Sequence, residues 1–485
     1  MPSESVLTMP WVPMPSDGLV SSETYKLQLE AEQSISSLLT EHMASSASHL
    51  LQKDQHLAYL SKFLKGPLPR MFTGLDASRP WILYWISHGL ALFEGELDQA
   101  AKKRVVSTLM SCQNKDGGFG GGPGQISHLA PTYAATCALA YSGEEGWKAI
   151  DRKGMYRFLM SLKQPDGSFI MHDGGEVDVR GAYCGLTVAV LLNILTPDLA
   201  RNTPSFIASC QTYEGGLASS AQPFSHSPST PAALGEAHGG YTFCAAATWS
   251  MLRVFSDPQS PCYAAAGEEE RRKELDVRSL LRWSASMQAM PIEGGGFRGR
   301  TNKLVDGCYS WWCGGLFPVI DGLLAEEEEV EDDLFDRNGL QQYITLVAQQ
   351  PGGGLRDKPG KPADAYHTTY NLAGASSAQS KMRFSRSKQA ALEQAFVSPF
   401  KRPVLLEDEE GEEPEMIKGE GESAEEAERR MREIWTRTLA WKVEGEKMLY
   451  GGEENELIPN HPLFNIASEQ VERMLSYFYL QPSSL

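Results

Sequence analysis

The sequence has 485 residues, 41% of them hydrophobic, and a formal net charge of −18 at pH 7. That apolar content is enough for a large soluble core, and the acidic balance argues against general nucleic-acid binding. No apolar run reaches membrane-spanning length, and the ends show no signal peptide and no lipidation cysteine. We therefore expect a cytoplasmic protein without direct membrane insertion, whose eight Cys stay reduced.

The N-terminal end differs from the rest of the chain. Residues 1–21 are rich in Pro and Ser and are predicted to form a disordered tail. Helical patterns begin at residue 22, and residues 22–402 are predicted to form one catalytic domain.

Within that domain the chain repeats itself. Each unit has a helical stretch that ends in Gln, a Gly-rich turn, and a second helix dense in Ala, Cys and aromatic residues. Gly-Gly suits a helix C-terminus and the positive φ angles of a turn. Such self-similarity predicts a stacked or closed helical array with inner helices around its centre. The turns lie at 111–119, 162–169, 209–217, 286–297 and 349–355.

Several segments interrupt or follow the repeats. Insertions near 222–230, 256–273 and 377–400 are expected to be surface loops. Residues 403–430 are predicted to be an acidic, low-complexity insertion, since residues 407–428 hold twelve acids and one Lys. Residues 431–485 return to amphipathic helix and are expected to pack back on the array.

The main chemical signal combines Asp306, Cys308 and His367. A carboxylate, a thiolate and an imidazole form a three-ligand set for catalytic zinc, which keeps a fourth position open. The distance in sequence is no obstacle, because equivalent positions of adjacent repeats are neighbours in a closed array. A buried core cysteine and a hydrogen-bonded structural histidine are the alternative.

Cations and phenols surround the same stretch of sequence. Arg and Lys suit phosphate oxygens, and His and Tyr can donate hydrogen bonds as charge develops on a leaving oxygen. The alternative is simple ion pairing with nearby acids, namely Glu176, Asp178 and Glu236. The candidates are Arg180, His238, Arg300, Lys303 and Tyr309.

Aromatic residues form a third group at the loop-proximal ends of the inner helices. Together they predict an apolar funnel beside the metal, although each alone could be ordinary core packing. The group consists of Trp81, Trp85, Tyr183, Tyr241, Trp312, Tyr366 and Tyr370.

These segments closely resemble the β subunits of protein farnesyltransferases, within the protein prenyltransferase β family. The resemblance covers roughly 50–400 and the region of 461–466. It is carried by LDASRPW at 75–81, GPGQISHLAPTY at 122–133, EAHGGYTFC at 236–244, NKLVDGCYS at 302–310 and DKPGK at 357–361.

The resemblance implies an all-α fold, an α/α toroid with α6/α6 barrel arrangement, and a helical α subunit as partner. It implies transfer of farnesyl from farnesyl diphosphate to the cysteine of C-terminal CaaX motifs, as in small GTPases, through a zinc-bound thiolate. One zinc would bind to Asp306, Cys308 and His367, and Asp357 would help to bind magnesium at the diphosphate.

The resemblance also assigns the remaining residues. Lys303 and Tyr309 would act in catalysis beside the zinc ligands. Trp81, Trp85, Tyr366 and Tyr370 would shape the peptide site, and Trp81 with Tyr370 would limit isoprenoid length. Farnesyl diphosphate would contact Arg180, Tyr183, His238, Tyr241, Cys244, Arg300, Lys303, Tyr309 and Trp312.

Two departures and three rival functions remain. Thr301 and Ala365 replace residues that are often Cys and a bulkier aromatic in relatives, and Ala365 could alter peptide preference. The β subunit of geranylgeranyltransferase-I would bind its metal and diphosphate in the same way, but Trp81 and Tyr370 favour the shorter lipid. A triterpene cyclase would need an acidic protonating motif that the sequence does not show, and a non-catalytic toroid scaffold is the third rival.

Overall fold

The computed structural model describes residues 19, 21–44, 49–222, 232–263, 274–325, 332–399 and 416–480. Within these ranges the α-helices are α1 Glu23–Ala44, α2 Lys53–Ser61, α3 Arg79–Leu92, α4 Gln99–Met110, α5 Leu129–Leu139, α6 Glu144–Lys148, α7 Arg152–Leu162, α8 Val179–Leu191, α9 Pro197–Ala200, α10 Thr203–Ser209, α11 Gly239–Ser256, α12 Val277–Ser286, α13 Tyr309–Trp312, α14 Phe317–Leu324, α15 Arg337–Gln342, α16 Ala365–Gln379, α17 Arg386–Ala395, α18 Ala424–Leu439 and α19 Ser468–Tyr479. A π-helical turn, Tyr343–Ala348, follows α15. The strands are β1 Ser220–Ala221, β2 Ala233–Leu234, β3 Met382–Phe384 and β4 Trp441–Val443.

Six helices form a closed inner ring. In chain order α3, α5, α8, α11, α13 and α16 each contact the next, and α16 contacts α3. Helices α5 and α8 are buried on almost every side, as expected for elements packed between a centre and an outer layer. Outer helices α4, α10 and α15 pack on α5, α11 and α16. This is the closed helical array predicted from the repeats, and it has the all-α toroid fold that the family resemblance implies.

The Gly-rich turns bring five of the six inner helices, all except α3, to the ring in the same way. Short antiparallel bridges close them, at Gln113–Phe119, Lys163–Phe169, Gln211–Leu217, Gln288–Phe297 and Gln349–Leu355. Gly117 has φ +98°, and a Cβ there would lie 2.0 Å from the backbone of Gly154 in the next outer helix, so only glycine fits. The N-termini of the inner helices therefore gather at one end of the ring.

The other end of the ring is closed by the C-terminal segment. The N–H of Ile458 donates to the carbonyl of Leu92 at the end of α3. Three buried hydroxyls then donate to successive backbone carbonyls, Tyr183 to Leu463, Tyr133 to Phe464 and Tyr84 to Asn465, at 2.7–3.0 Å. The C-terminal segment therefore covers this end of the ring. We call the opposite end, where the inner helices begin and side chains such as Arg180 and His367 are partly exposed, the open end.

Two sequence predictions about the insertions are wrong where the structure describes them. Residues 377–399 are not a surface loop, because α16 extends to Gln379, β3 pairs with β4, and α17 packs on α18. The acidic insertion does not extend to 430, because α18 begins at Ala424. Arg430 on α18 is buried and forms an ion pair with Glu422 at 2.8 Å, which orders the end of the acidic stretch.

The other predicted irregular segments lie largely outside the described residues. These are the tail up to residue 18, residues 223–231, residues 264–273 and residues 401–415. No helix within the described part of the chain is long and apolar enough to cross a membrane.

Candidate functional site

Three side chains predicted as metal ligands lie together at the open end of the ring. Asp306 and Cys308 immediately precede α13, and His367 lies in the first turn of α16. Their ligand atoms all lie within 4.8 Å of one another, and His367 Nε2 is 3.3 Å from Asp306 Oδ1. Ligands of a tetrahedral zinc ion are roughly 3–4 Å apart. The donor set and its spacing therefore fit zinc.

Asp364 orients the histidine of this set. It is the N-cap of α16, where Oδ1 accepts the backbone N–H of His367 at 2.7 Å and Oδ2 accepts its ring Nδ1–H at 2.7 Å. The remaining nitrogen, Nε2, is thereby directed at Asp306. A carboxylate behind a metal-binding imidazole fixes the tautomer and makes the ligand more basic.

The pKa values of His367 and Cys308 show how strongly negative this corner is. Burial alone would lower the pKa of His367, but hydrogen bonds and charges of Asp306 and Asp364 outweigh it and raise that pKa to about 10. Burial, and secondly the Asp306 carboxylate, raise the pKa of the Cys308 thiol well above its usual value. A divalent cation would reverse both shifts, since it favours the thiolate and the neutral imidazole.

His238 and Tyr309 form a hydrogen-bonded pair next to the metal ligands. His238 caps α11, where its Nδ1 accepts the N–H of Gly240 at 3.0 Å. Its Nε2–H therefore donates to the Tyr309 hydroxyl oxygen at 3.0 Å. Burial, and secondly Arg300, lower the pKa of His238 to about 4, so the ring is neutral at pH 7. The Tyr309 O–H remains available to donate to an anion.

The predicted cations lie along the same rim. Arg300 forms an ion pair with Glu236, and both side chains are substantially exposed. Lys303 is exposed in the turn before Asp306. Exposed ion pairs contribute only about 0–1 kcal/mol, so an anion with higher charge than a carboxylate can displace Glu236 from Arg300.

Arg180 is held more firmly than Arg300. Its guanidinium donates two hydrogen bonds to Asp178, at 2.9 and 2.8 Å, and lies 5.6 Å from the ring of Tyr241. Asp178 is the N-cap of α8 and is buried. The ion-pairing alternative is thus realised for Arg180 and Arg300.

Asp357 lies behind the metal ligands. Its carboxylate forms an ion pair with Lys358, and its carbonyl accepts the N–H of Gly307 at 2.8 Å. Burial, and secondly the charge of Asp306, raise the pKa of Asp357. This second carboxylate adds negative charge near the metal ligands, although it does not belong to the three-ligand cluster.

The predicted aromatic residues belong to a circuit of ring contacts around the inner wall. Trp85 contacts Tyr366 at 5.4 Å, Tyr366 contacts Tyr370 at 4.7 Å, and Tyr370 stacks on Trp312 at 4.8 Å between ring centroids. The circuit continues and closes through Phe243, Tyr183, Tyr133 and Trp81. Cys244 is buried beside Phe243, and Tyr241 lies at the rim, 4.8 Å from the His238 ring.

Sequence reasoning missed several members of the site. Asp364 looks like an ordinary helix cap, although its position three residues before His367 is a usable signal. Phe243 and Tyr133 look like core residues. Asn371 and Tyr343, which contact the ligand-bearing segments from behind, are single polar groups within buried helices and carry no sequence signal.

Comparisons with known proteins agree with this architecture. Residues 51–466 match the family model for the prenyltransferase alpha-alpha toroid domain. The chain therefore belongs to the prenyltransferase family of α/α toroids. Within that family it belongs with the β subunits of protein farnesyltransferases, since it is 38% identical to the β subunit from Schizosaccharomyces pombe over 76% of this chain and 87% of that protein.

Other relatives fit the same grouping. The chain is 42% identical to the farnesyltransferase β subunit of Pyricularia oryzae over 70% of its own length, and it spans just under two thirds, 65%, of that protein. A β subunit of geranylgeranyl transferase type-1 from Arabidopsis thaliana is 30% identical over 67% of this chain and 84% of that protein. These relatives confirm the predicted farnesyltransferase group over the geranylgeranyltransferase-I alternative.

A solved structure shares the fold. The chain matches Candida albicans protein geranylgeranyltransferase-I complexed with GGPP with a TM-score of 0.56 and 19% identity, over 88% of this chain and 99% of that one. At this identity the match supports the toroid fold alone.

Proposed function

We propose that this chain is the catalytic β subunit of a protein farnesyltransferase, which pairs with an α subunit and transfers farnesyl from farnesyl diphosphate to a CaaX cysteine. One observation carries the proposal. The Asp306–Cys308–His367 cluster lies beside the Tyr309–His238 pair at the open end of an aromatic-lined ring, opposite the C-terminal segment. A thiol, a diphosphate and an apolar chain can therefore meet there.

The three ligand side chains would hold zinc, which when bound favours the thiolate form of a substrate cysteine. Asp364 keeps His367 Nε2 free for that role. Arg300 and Lys303 would neutralise the diphosphate, and Tyr309 would donate to the oxygen on which charge develops as the carbon–oxygen bond breaks. The thiolate sulfur forms the new bond to C1 of the farnesyl group, and diphosphate leaves.

We also propose that Asp357 helps to bind magnesium at the diphosphate. Hard carboxylate and phosphate oxygens suit Mg²⁺, whereas the thiolate set suits zinc. Lys358 would have to release the Asp357 carboxylate when magnesium binds. We also propose that the protein is located in the cytoplasm, as the sequence predicts, because Cys308 must stay reduced to bind a metal.

The choice of a C15 over a C20 isoprenoid rests on bulk at the wall. Tyr370 is fully buried and stacks on Trp312, and Trp81 lies between Trp85 and Tyr133 in the ring circuit. These rings fill space that a fourth isoprene unit would need. Trp81, Trp85 and Tyr366 would also form one wall of the peptide site.

The test is co-expression with a farnesyltransferase α subunit, followed by transfer assays. C15 and C20 diphosphates are compared on CaaX peptides that end in Ser, Met or Leu. Zinc-dependent C15 transfer is the expected result. A purified heterodimer that binds zinc but transfers neither lipid would overturn the proposed activity.

A further inference from the structure

Gly307 lies between two proposed metal ligands, Asp306 and Cys308, and is held from two sides. Its N–H donates to the carbonyl of Asp357 at 2.8 Å. On the other side, a Cβ on Gly307 would lie 2.4 Å from Asn371 Nδ2. The segment that carries the two ligands therefore has no room to shift towards α16.

Asn371 ties together the segments that bear the ligands. It lies on α16 one turn after His367 and is fully buried. Its Nδ2 donates to the carbonyls of His367 at 2.8 Å and Arg356 at 3.2 Å. Its Oδ1 accepts the hydroxyl of Ser310, two residues after Cys308, at 3.3 Å. One amide thus joins α16, α13 and the loop of Arg356 and Asp357, whose Asp357 carbonyl accepts the N–H of Gly307.

Tyr343 supports that loop from the outer layer. It is fully buried in the π-helical turn after α15, and its hydroxyl donates at 2.7 Å to the same Asp357 carbonyl that accepts Gly307 N–H. π-Helical turns are frequent at functional sites. A Cβ on Gly296 would lie 2.7 Å from the Tyr343 ring, so the backbone of Gly296 packs directly against the phenol.

We propose that Asn371 and Tyr343 are positioning residues for the metal site. They hold Asp306, Cys308 and His367 at the separation that a tetrahedral ion needs, before the ion binds. The inference rests on the proposed function in taking that ion to be zinc. Both side chains donate to backbone carbonyls and neither belongs to the ligand set, so they act through the geometry of the ligands. Groups that support metal ligands typically contribute about 10-fold to 100-fold in affinity.

The test uses the heterodimer and four variants. Asn371→Leu removes the amide at similar volume, and Tyr343→Phe removes one hydroxyl. The chain offers matched controls at a distance from the site. Asn455 is buried, donates to the carbonyls of His49 and Tyr450, and accepts Leu51 N–H. Tyr479 is buried and donates to the Val190 carbonyl at 2.7 Å. The controls are Asn455→Leu and Tyr479→Phe.

Zinc affinity is measured by competition with a chromophoric chelator, and ligand geometry by the visible spectrum of the Co²⁺-substituted protein. We expect zinc binding about tenfold weaker in Asn371→Leu and Tyr343→Phe, with an altered Co²⁺ spectrum. The controls lose thermal stability but keep the affinity and the spectrum. If Asn371→Leu does not fold, Tyr343→Phe decides.

Unchanged affinity and spectrum in the site variants, or equal losses in the controls, would overturn the inference alone. A wild-type heterodimer that binds zinc without farnesyl transfer would overturn the proposed activity but leave the positioning roles standing. A wild type that binds no zinc would overturn both.

Discussion

Asp364 holds both the backbone and the ring of His367, each through a 2.7 Å hydrogen bond. The same carboxylate therefore starts α16 and selects the tautomer of a proposed zinc ligand. Helix formation and metal binding are coupled in a single residue, at the point where two neighbouring repeats of the ring meet.

Asp364→Asn separates these two roles. Asn is as good an N-cap as Asp, so the melting temperature should change little. With the Asn oxygen on the backbone N–H of His367, however, the NH2 group that replaces Oδ2 cannot accept the ring Nδ1–H. Zinc affinity, measured by chelator competition, should fall by about 10-fold to 100-fold. Asp336→Asn is the control, since Asp336 caps the outer helix α15 through Gly339 N–H. Equal zinc affinity in both variants would contradict the role given to Asp364.

Tyr309→Phe tests the diphosphate site. Because His238 already donates to the Tyr309 oxygen, the lost O–H is the one available to the leaving group. We expect kcat to fall by about 100-fold to 1,000-fold, with little change in the KM for farnesyl diphosphate. Tyr156→Phe is the control, since that hydroxyl contacts Thr196 in the outer layer. A raised KM with unchanged kcat would assign Tyr309 to binding alone.

Trp81→Thr tests the limit on isoprenoid length. Removal of the indole opens space next to Trp85 and Tyr133, so the ratio of kcat/KM for C20 over C15 diphosphate should rise about tenfold. Trp81→Phe keeps most of the bulk and should leave the ratio near that of the wild type. An unchanged ratio in Trp81→Thr would remove Trp81 as a determinant of length.

Buried histidines predict how stability depends on pH. Burial lowers the pKa of His88 to about 3 and that of His461 to about 4, whereas both titrate near 6.5 in the unfolded chain. Below pH 6.5 the unfolded state therefore binds more protons than the folded state. As the pH is lowered, the free energy of unfolding should fall by up to about 1.4 kcal/mol per pH unit for each histidine.

Thermal melting of the heterodimer between pH 7 and pH 5 measures this loss. His88→Gln should make the decline shallower, and substitution of the partly exposed His172 by Gln should not. A melting temperature that is constant over this range would show that the two rings are not buried in their neutral form.

Much of the fold and the site can be predicted from the sequence, because the same residue pattern recurs in each repeat and the ligands are of recognisable types. The Gln and Gly turns recur in phase, and Asp306, Cys308 and His367 are the residue types that zinc requires. The pairing of β3 with β4 depends on residues far along the chain, so the helix and strand within 377–399 are not visible locally. The ion pair between Arg430 and Glu422 exists only in the folded chain. The sequence alone therefore extends the predicted acidic insertion to residue 430, whereas α18 already begins at Ala424.

The supporting residues are hidden for a different reason. Asn371 and Tyr343 act through backbone carbonyls of other segments, and a single Asn or Tyr in a buried helix has no distinguishing pattern. Arg180 and Arg300 are recognisable as cations, but the sequence leaves open whether an acid of the same chain is their partner. The structure shows such partners in Asp178 and Glu236.

The most direct test of zinc-dependent farnesyl transfer compares Cys308→Ala with Cys313→Ala in the purified heterodimer. Both cysteines are buried free thiols five residues apart, and only Cys308 belongs to the ligand cluster. Metal content and C15 transfer to a CaaX peptide are measured on the same samples. We expect one zinc per heterodimer and full transfer for Cys313→Ala, and loss of both for Cys308→Ala. If Cys308→Ala kept both zinc and transfer, zinc–thiolate catalysis at this site would be ruled out.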